Sequence, residues 1–91
     1  MQDINKNILV TASSKGLGLA IAQKFSENGY GVIIHGRNEE KIDLARKKVD
    51  NVLCTIKGDL TDEDTIEQLT RSSDLHNICV LVNNAAIPCY G

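Results

Sequence analysis

Between Thr11 and Gly18 the chain reads T-A-S-S-K-G-L-G, small residues and one lysine placed directly behind the apolar run Ile8–Leu9–Val10. Gly16 and Gly18 carry no Cβ, so backbone there can approach a ligand closely, and a helix starting at this point offers free N–H groups to an anion. The chemistry available is therefore phosphate binding by backbone. Polar side chains follow other apolar runs in H-G-R at 35–37, G-D-L at 58–60 and N-N-A-A at 83–86. Arg37 brings a planar fork of donors suited to phosphate, and Asp59 brings a carboxylate acceptor. Glycines ahead of a helix also serve tight turns and close packing, so the elements around them must decide.

Those elements alternate. Ile8–Leu9–Val10 reads as a strand, after which Leu17, Ala20, Ile21 and Phe25 recur at helical spacing until Asn28–Gly29 stops the helix. Val32–Ile33–Ile34 is a second strand, and Asn38 caps a helix with Glu39 and Glu40 at its start. Ile42, Ala45 and Val49 form its inner face, and Arg46, Lys47 and Lys48 fill its last turn. Val52 to Ile56 is a third strand. Thr61 and Asp64 have the spacing of a capping box, with Ile66 and Leu69 as the inner face of the third helix. Ile78 to Val82 is the fourth strand. Strand and helix in alternation, with short joints and nearly continuous apolar strands, predict an α/β fold with a four-stranded parallel sheet in order 3-2-1-4 and helices on both faces. This is one mononucleotide-binding half of a doubly wound, Rossmann-like fold plus the first strand past the reversal of strand order, where ligands bind outside the carboxyl ends of the strands. Thr11 to Gly18 and Asn83 to Ala86 reach that crevice, and a dinucleotide is the ligand expected there.

Bulk properties narrow the alternatives. The 91 residues are read as a single truncated dinucleotide-binding domain, 1–91, too small to bury more than roughly 60–65% of its unfolded surface. Hydrophobic residues make up 42% and charged residues 24%, a balance that excludes a disordered chain. The run ICVLV is far shorter than the roughly 20 residues of a membrane span, and Met1–Gln2–Asp3 does not open a secretory signal. A net charge of −2 gives no general attraction for nucleic acid. Cys54, Cys79 and Cys89 are odd in number and lack metal-ligand spacing, so they are expected to be reduced and buried, in a cytoplasmic protein.

With T-A-S-S-K-G-L-G, G-D-L at 58–60 and N-N-A-A in order, each at a strand end, the sequence resembles the short-chain dehydrogenase/reductase family, whose fingerprint TGxxxGxG reads T-A-S-S-K-G-L-G here and whose NNAG reads N-N-A-A. The resemblance covers essentially the whole chain, as about the first third of a typical member. It implies a cofactor site formed by Thr11, Ser13, Ser14, Lys15, Gly16, Leu17 and Gly18, with Arg37, Asp59, Leu60, Asn83 and Ala85. Asp59 would bond the adenine amino group, Leu60 would lie near the ring, Asn83 would tie the fourth strand into the sheet, and Asn84 and Ala85 would line the ribose side. Ala12 stands where the family has glycine; at a left-handed backbone it costs roughly 1–2 kcal/mol, and at negative φ nothing. Ala86 replaces the final glycine of NNAG and narrows the space beside the nicotinamide ribose.

No carboxylate precedes Arg37 at the end of the second strand, where one would bind the adenosine ribose hydroxyls of NAD(H). Arg37 and Lys15 instead suit a 2′-phosphate, so NADP(H) is expected, NAD(H) less so. Glu39 and Glu40 could compete for Arg37, and His35 reads as a partly buried structural residue.

In the family a tyrosine serves as acid or base, a lysine four residues later lowers its pKa, and a serine helps to hold the substrate oxygen. All lie beyond NNAG, so no catalytic residue is assigned here. Tyr30 and Tyr90 lack such a lysine, and the chain alone is expected to be inactive. The outer edge of the fourth strand predicts self-association or pairing with a complementary chain. A second reading, a nucleotide-binding or protein-interaction module without turnover, stays open, and the substrate is undetermined. A P-loop is disfavoured because Lys15 precedes Gly16.

Overall fold

The computed structural model describes residues 6–14, 16–78 and 80–82. Four strands and three helices alternate as β1 (Asn7–Val10), α1 (Gly16–Glu27), β2 (Gly31–Gly36), α2 (Glu39–Lys48), β3 (Val52–Lys57), α3 (Glu63–Leu75) and β4 (Val80–Val82). The sheet order is β3-β2-β1-β4, as the sequence predicts, and the three pairings are parallel. β1 aligns Ile8 with Val32 and Val80, and Val10 with Ile34 and Val82. Between β2 and β3 the register slips by one residue, so that Val32 faces Val52 while Ile33 faces Cys54.

Alternation along the strands feeds two apolar layers. Ile8, Val10, Val32 and Ile34 pack with Ala22 of α1 and Ala45 of α2, closed by Val49. Leu9, Ile33 and Ile56 turn to the opposite face and meet Leu69 of α3. All six residues of β2 are buried, as expected of a central strand covered on both sides.

The helix termini follow local chemistry. Asn38 caps α2 by accepting from Lys41 N–H at 3.0 Å. α1 ends in a Schellman motif: Gly29 N–H donates to Ser26 C=O at 3.0 Å and Tyr30 N–H to Phe25 C=O at 3.1 Å, with Gly29 at φ 90°. The Phe25 and Tyr30 rings seal it edge to face at 4.9 Å. α3 ends the same way, with Asn77 at φ 51° in the left-handed position.

Four expectations change. The face of α1 toward the sheet is Gly18, Ala22 and Ser26, flanked by partly buried Leu19, Ile21 and Phe25, whereas Ala20 is exposed and Leu17 is 68% exposed. Small residues let the helix sit close, and periodicity weighted by large side chains misses them. Asp62, not Thr61, caps α3, accepting from Asp64 N–H at 3.1 Å, because Thr61 is engaged with Asp59. The inner face of α3 is Thr65 and Leu69, and Ile66 is exposed. β4 begins at Val80 instead of Ile78, and Cys79 lies outside the described residues.

Candidate functional site

The carboxyl ends of β1, β2 and β3 carry the predicted turns. Thr11 is buried and held to β4, its N–H donating to Val82 C=O at 3.1 Å and its hydroxyl to the same oxygen at 3.4 Å. Ala12 is left-handed, with φ 51°, so the backbone cost foreseen for alanine at this position is incurred. Ser13 is fully buried: its N–H donates to His35 C=O at 2.8 Å, and its hydroxyl accepts from His35 N–H at 2.9 Å. The hydroxyl of Ser13 is thus engaged by β2, which fixes the turn against the sheet.

Gly16 opens α1 at φ 59°, and a Cβ added there would meet nothing within 4 Å. Space is therefore open beside the first turn of the helix, where backbone N–H groups lack intrahelical partners. Gly18 faces the sheet and serves close helix packing, while Leu17 points outward beside the open turn. Lys15, Asn83 and Ala85 fall outside the described residues, as do Asn84, Ala86, Cys89 and Tyr90.

At the end of β2, Gly36 leaves no room for a side chain. A Cβ there would lie 2.8 Å from Ser14 Oγ and 3.0 Å from Ile42 Cγ1, so this glycine lets the Ser14 turn close on the strand. Arg37 follows, with its side chain 78% exposed, and its Nη1 stands 3.9 Å from Asp59 Oδ2. Such an exposed pair is screened by water and leaves the guanidinium available to a stronger anion. Glu39, expected as a competitor for Arg37, pairs with Lys57 at 3.7 Å.

Asp59 is ordered by its own turn. One carboxylate oxygen accepts from Thr61 N–H at 2.9 Å and from Thr61 Oγ at 2.8 Å. These bonds, with lesser help from the Arg37 guanidinium, hold its carboxyl below the usual aspartate range. An ionised, exposed acceptor is the form that a ring amino group can bond. Leu60 packs, half-buried, against the core layer containing Leu9 and Ile33.

His35, expected to be partly buried, is only 2% exposed and joins two turns through its ring. Nδ1 accepts from Ala12 N–H at 2.9 Å, and Nε2 lies 2.9 Å from Gly58 C=O. The sequence gives little hint of this, since it depends on β2 running two residues past its apolar core to Gly36. No group of three or more metal-ligating side chains occurs among the described residues. Nor is any helix among them long and apolar enough to cross a membrane. Cys54 is half-buried and free, its thiol pushed up by burial against an opposing bond with Ser72.

A parallel 3-2-1-4 sheet with a glycine-opened helix at its reversal point defines a Rossmann-like nucleotide-binding half. Residues 6–91 match the family model for short chain dehydrogenases. The chain belongs to that family. It is 36% identical over 88 residues to 17-beta-hydroxysteroid dehydrogenase type 3 of Danio rerio, covering 92% of this chain and 29% of the relative. It is equally 36% identical over 91 residues to NADPH-dependent 1-acyldihydroxyacetone phosphate reductase of Schizosaccharomyces pombe, covering 96% of this chain and 30% of the relative. Among solved structures, a short chain dehydrogenase from Bacillus anthracis superposes with a TM-score of 0.82 at 29% identity, over 91% of this chain and 36% of the other. A metagenomic short-chain oxidoreductase in complex with NADP gives 0.80 at 29% identity, over 96% and 42%. The chain thus spans about three-tenths of the length of these curated relatives.

Proposed function

We propose that residues 1–91 act as one NADP(H)-binding unit, the N-terminal portion of a short-chain dehydrogenase/reductase that interconverts a carbonyl and an alcohol. The observation that carries this reading is Arg37 at the end of β2, exposed and within 3.9 Å of an ordered Asp59, with no carboxylate in the last residues of β2. The arrangement fits the adenosine end of the cofactor: Arg37 takes the 2′-phosphate, Asp59 accepts from the adenine amino group, and Leu60 lies by the ring. Thr11, Ser13 and Ser14 support the turn, Gly16, Leu17 and Gly18 start the helix that meets the pyrophosphate, and Lys15 adds a second cation. By the family resemblance Asn83 ties the fourth strand into the sheet, and Asn84 and Ala85 line the ribose side.

When bound, the nicotinamide gives or takes the hydride. This chain's own residues bind and orient it, and the serine, tyrosine and lysine that handle the substrate come from outside residues 1–91, so the chain alone is inactive. The protein works in the cytoplasm. A second reading, association through the open side of β4, is favoured by Leu81, which is 64% exposed in the strand bordering β1. A second copy or a complementary chain pairing with that edge would satisfy its main-chain groups and could lay an apolar surface over Leu81.

Calorimetric titration with NADPH and NADH tests the first reading. A charge-assisted contact contributes about 1.5–3 kcal/mol, so Arg37→Ala should weaken NADPH by roughly ten- to hundredfold and leave NADH nearly unchanged. Equal affinity for both cofactors in the parent chain would refute the NADP(H) preference, and binding of neither would leave the interaction reading in its place.

A further inference from the structure

His35 is the buried polar side chain that the cofactor assignment does not use, yet each of its ring nitrogens has a distant partner. Ala12 N–H can only donate, so Nδ1 must present its lone pair; Gly58 C=O can only accept, so Nε2 must carry the proton. The ring is rigid, so the two bonds of 2.9 Å fix the separation of two turns that are 46 residues apart in sequence. One turn is the glycine-rich segment, held at its left-handed residue Ala12. The other leads directly into Asp59.

We infer that His35, as the Nε2–H tautomer, is a positioning residue that sets the glycine-rich turn and the Asp59 turn at the spacing needed to grip one dinucleotide from both ends. The inference rests on the cofactor reading above. His35 touches no part of the ligand; it acts through Ala12 and Gly58. The bonds from Ser13 N–H to His35 C=O and from His35 N–H to the Ser13 hydroxyl fix the strand end, and Gly58 N–H donates to Gly36 C=O; the ring is the one side chain among the described hydrogen bonds that spans from the Ala12 turn to the Gly58 turn.

Two substitutions each retain half of the link. Asn at position 35 has an acceptor where Nδ1 stands and cannot reach Gly58, whereas Gln reaches toward Gly58 and lacks the near acceptor. Adenosine 2′-monophosphate reads the Arg37–Asp59 end alone, and NADPH reads both ends. In His35→Asn both ligands should weaken by about five- to tenfold, the effect of one lost hydrogen bond. In His35→Gln the monophosphate should bind as in the parent while NADPH weakens by a similar factor. Long-range ¹H–¹⁵N spectra of the parent imidazole should show the proton on Nε2, a readout that needs no ligand and no variant. A proton on Nδ1, or unchanged NADPH affinity in both variants, would overturn the positioning role while leaving the cofactor reading intact. Failure of the parent chain to bind NADPH would overturn the cofactor reading and this role with it.

Discussion

In Gly58→Ala the new Cβ would fall 1.9 Å from Thr65 Oγ1 and 2.9 Å from both Thr65 Cβ and Cγ2. Thr65 is 2% exposed in the first turn of α3, and rotating its side chain cannot move its own Cβ away. The helix start, or the turn bearing Asp59, must therefore shift. Gly58 has φ 157°, a backbone conformation that L-residues rarely adopt, so backbone strain adds to the clash. Overpacking of this kind costs about 1–3 kcal/mol, and each kcal/mol lowers Tm by about 4–8 °C in a domain of this size. Thermal unfolding followed by circular dichroism should show a fall of roughly 4 °C at least. Thr65→Ala removes two of the three close atoms, so the double variant should be more stable than the sum of the single changes by about 1 kcal/mol. Gly16→Ala is the control for conformation without clash, because nothing lies within 4 Å of a Cβ there. A Gly58→Ala chain that melts with the parent, or a double variant that shows no coupling, would refute the reasoning that Thr65 closes this turn.

Asn38→Ala should lower stability by about 1 kcal/mol through loss of the cap on Lys41 N–H, measured as a shift in the urea midpoint at constant slope. The Asp59 carboxyl, held below its ordinary value near 3.8, stabilises the fold above that value and loses this contribution as pH falls through its folded pKa. Carboxyl ¹³C titration should place its midpoint lower than that of a free aspartate, and Asp59→Asn should flatten the acid limb of stability against pH. Cys54, raised by burial, should react with iodoacetamide at neutral pH more slowly in the folded chain than in urea, as followed by mass spectrometry of its peptide. Equal rates in the two states would contradict its burial.

The order of the sheet was legible because apolar runs and helical periodicities alternate, and few topologies accommodate that alternation. Arg37 and Asp59 could each be picked out from their strand ends, but their proximity could not, since it depends on how far β2 and β3 extend. The face of α1 was misplaced because Leu17 counts heavily in a hydrophobic pattern, although it lies in the open first turn; Gly18, Ala22 and Ser26 count little and make the contact. Thr61 had the right type and spacing for a cap, and Asp59 took it first. Ala12 offered two outcomes in sequence, and only φ could choose between them. Nothing in the sequence around Gly36 signals that Ser14 stands against it. Long-range partners of this kind leave no periodic trace.

The nearness of Arg37 and Asp59 bears on any attempt to exchange one coenzyme for the other. The obvious design is charge reversal, Arg37→Asp, to supply a carboxylate for a free ribose. Here that would remove the cation beside Asp59 and add a second carboxylate to the same region, like charges where opposite ones now stand. In the proposed site the adenine contact and the ribose contact would then share one region of negative potential. On the proposed cofactor reading, coenzyme choice is a property of the pair, and redesign has to treat positions 37 and 59 as one unit.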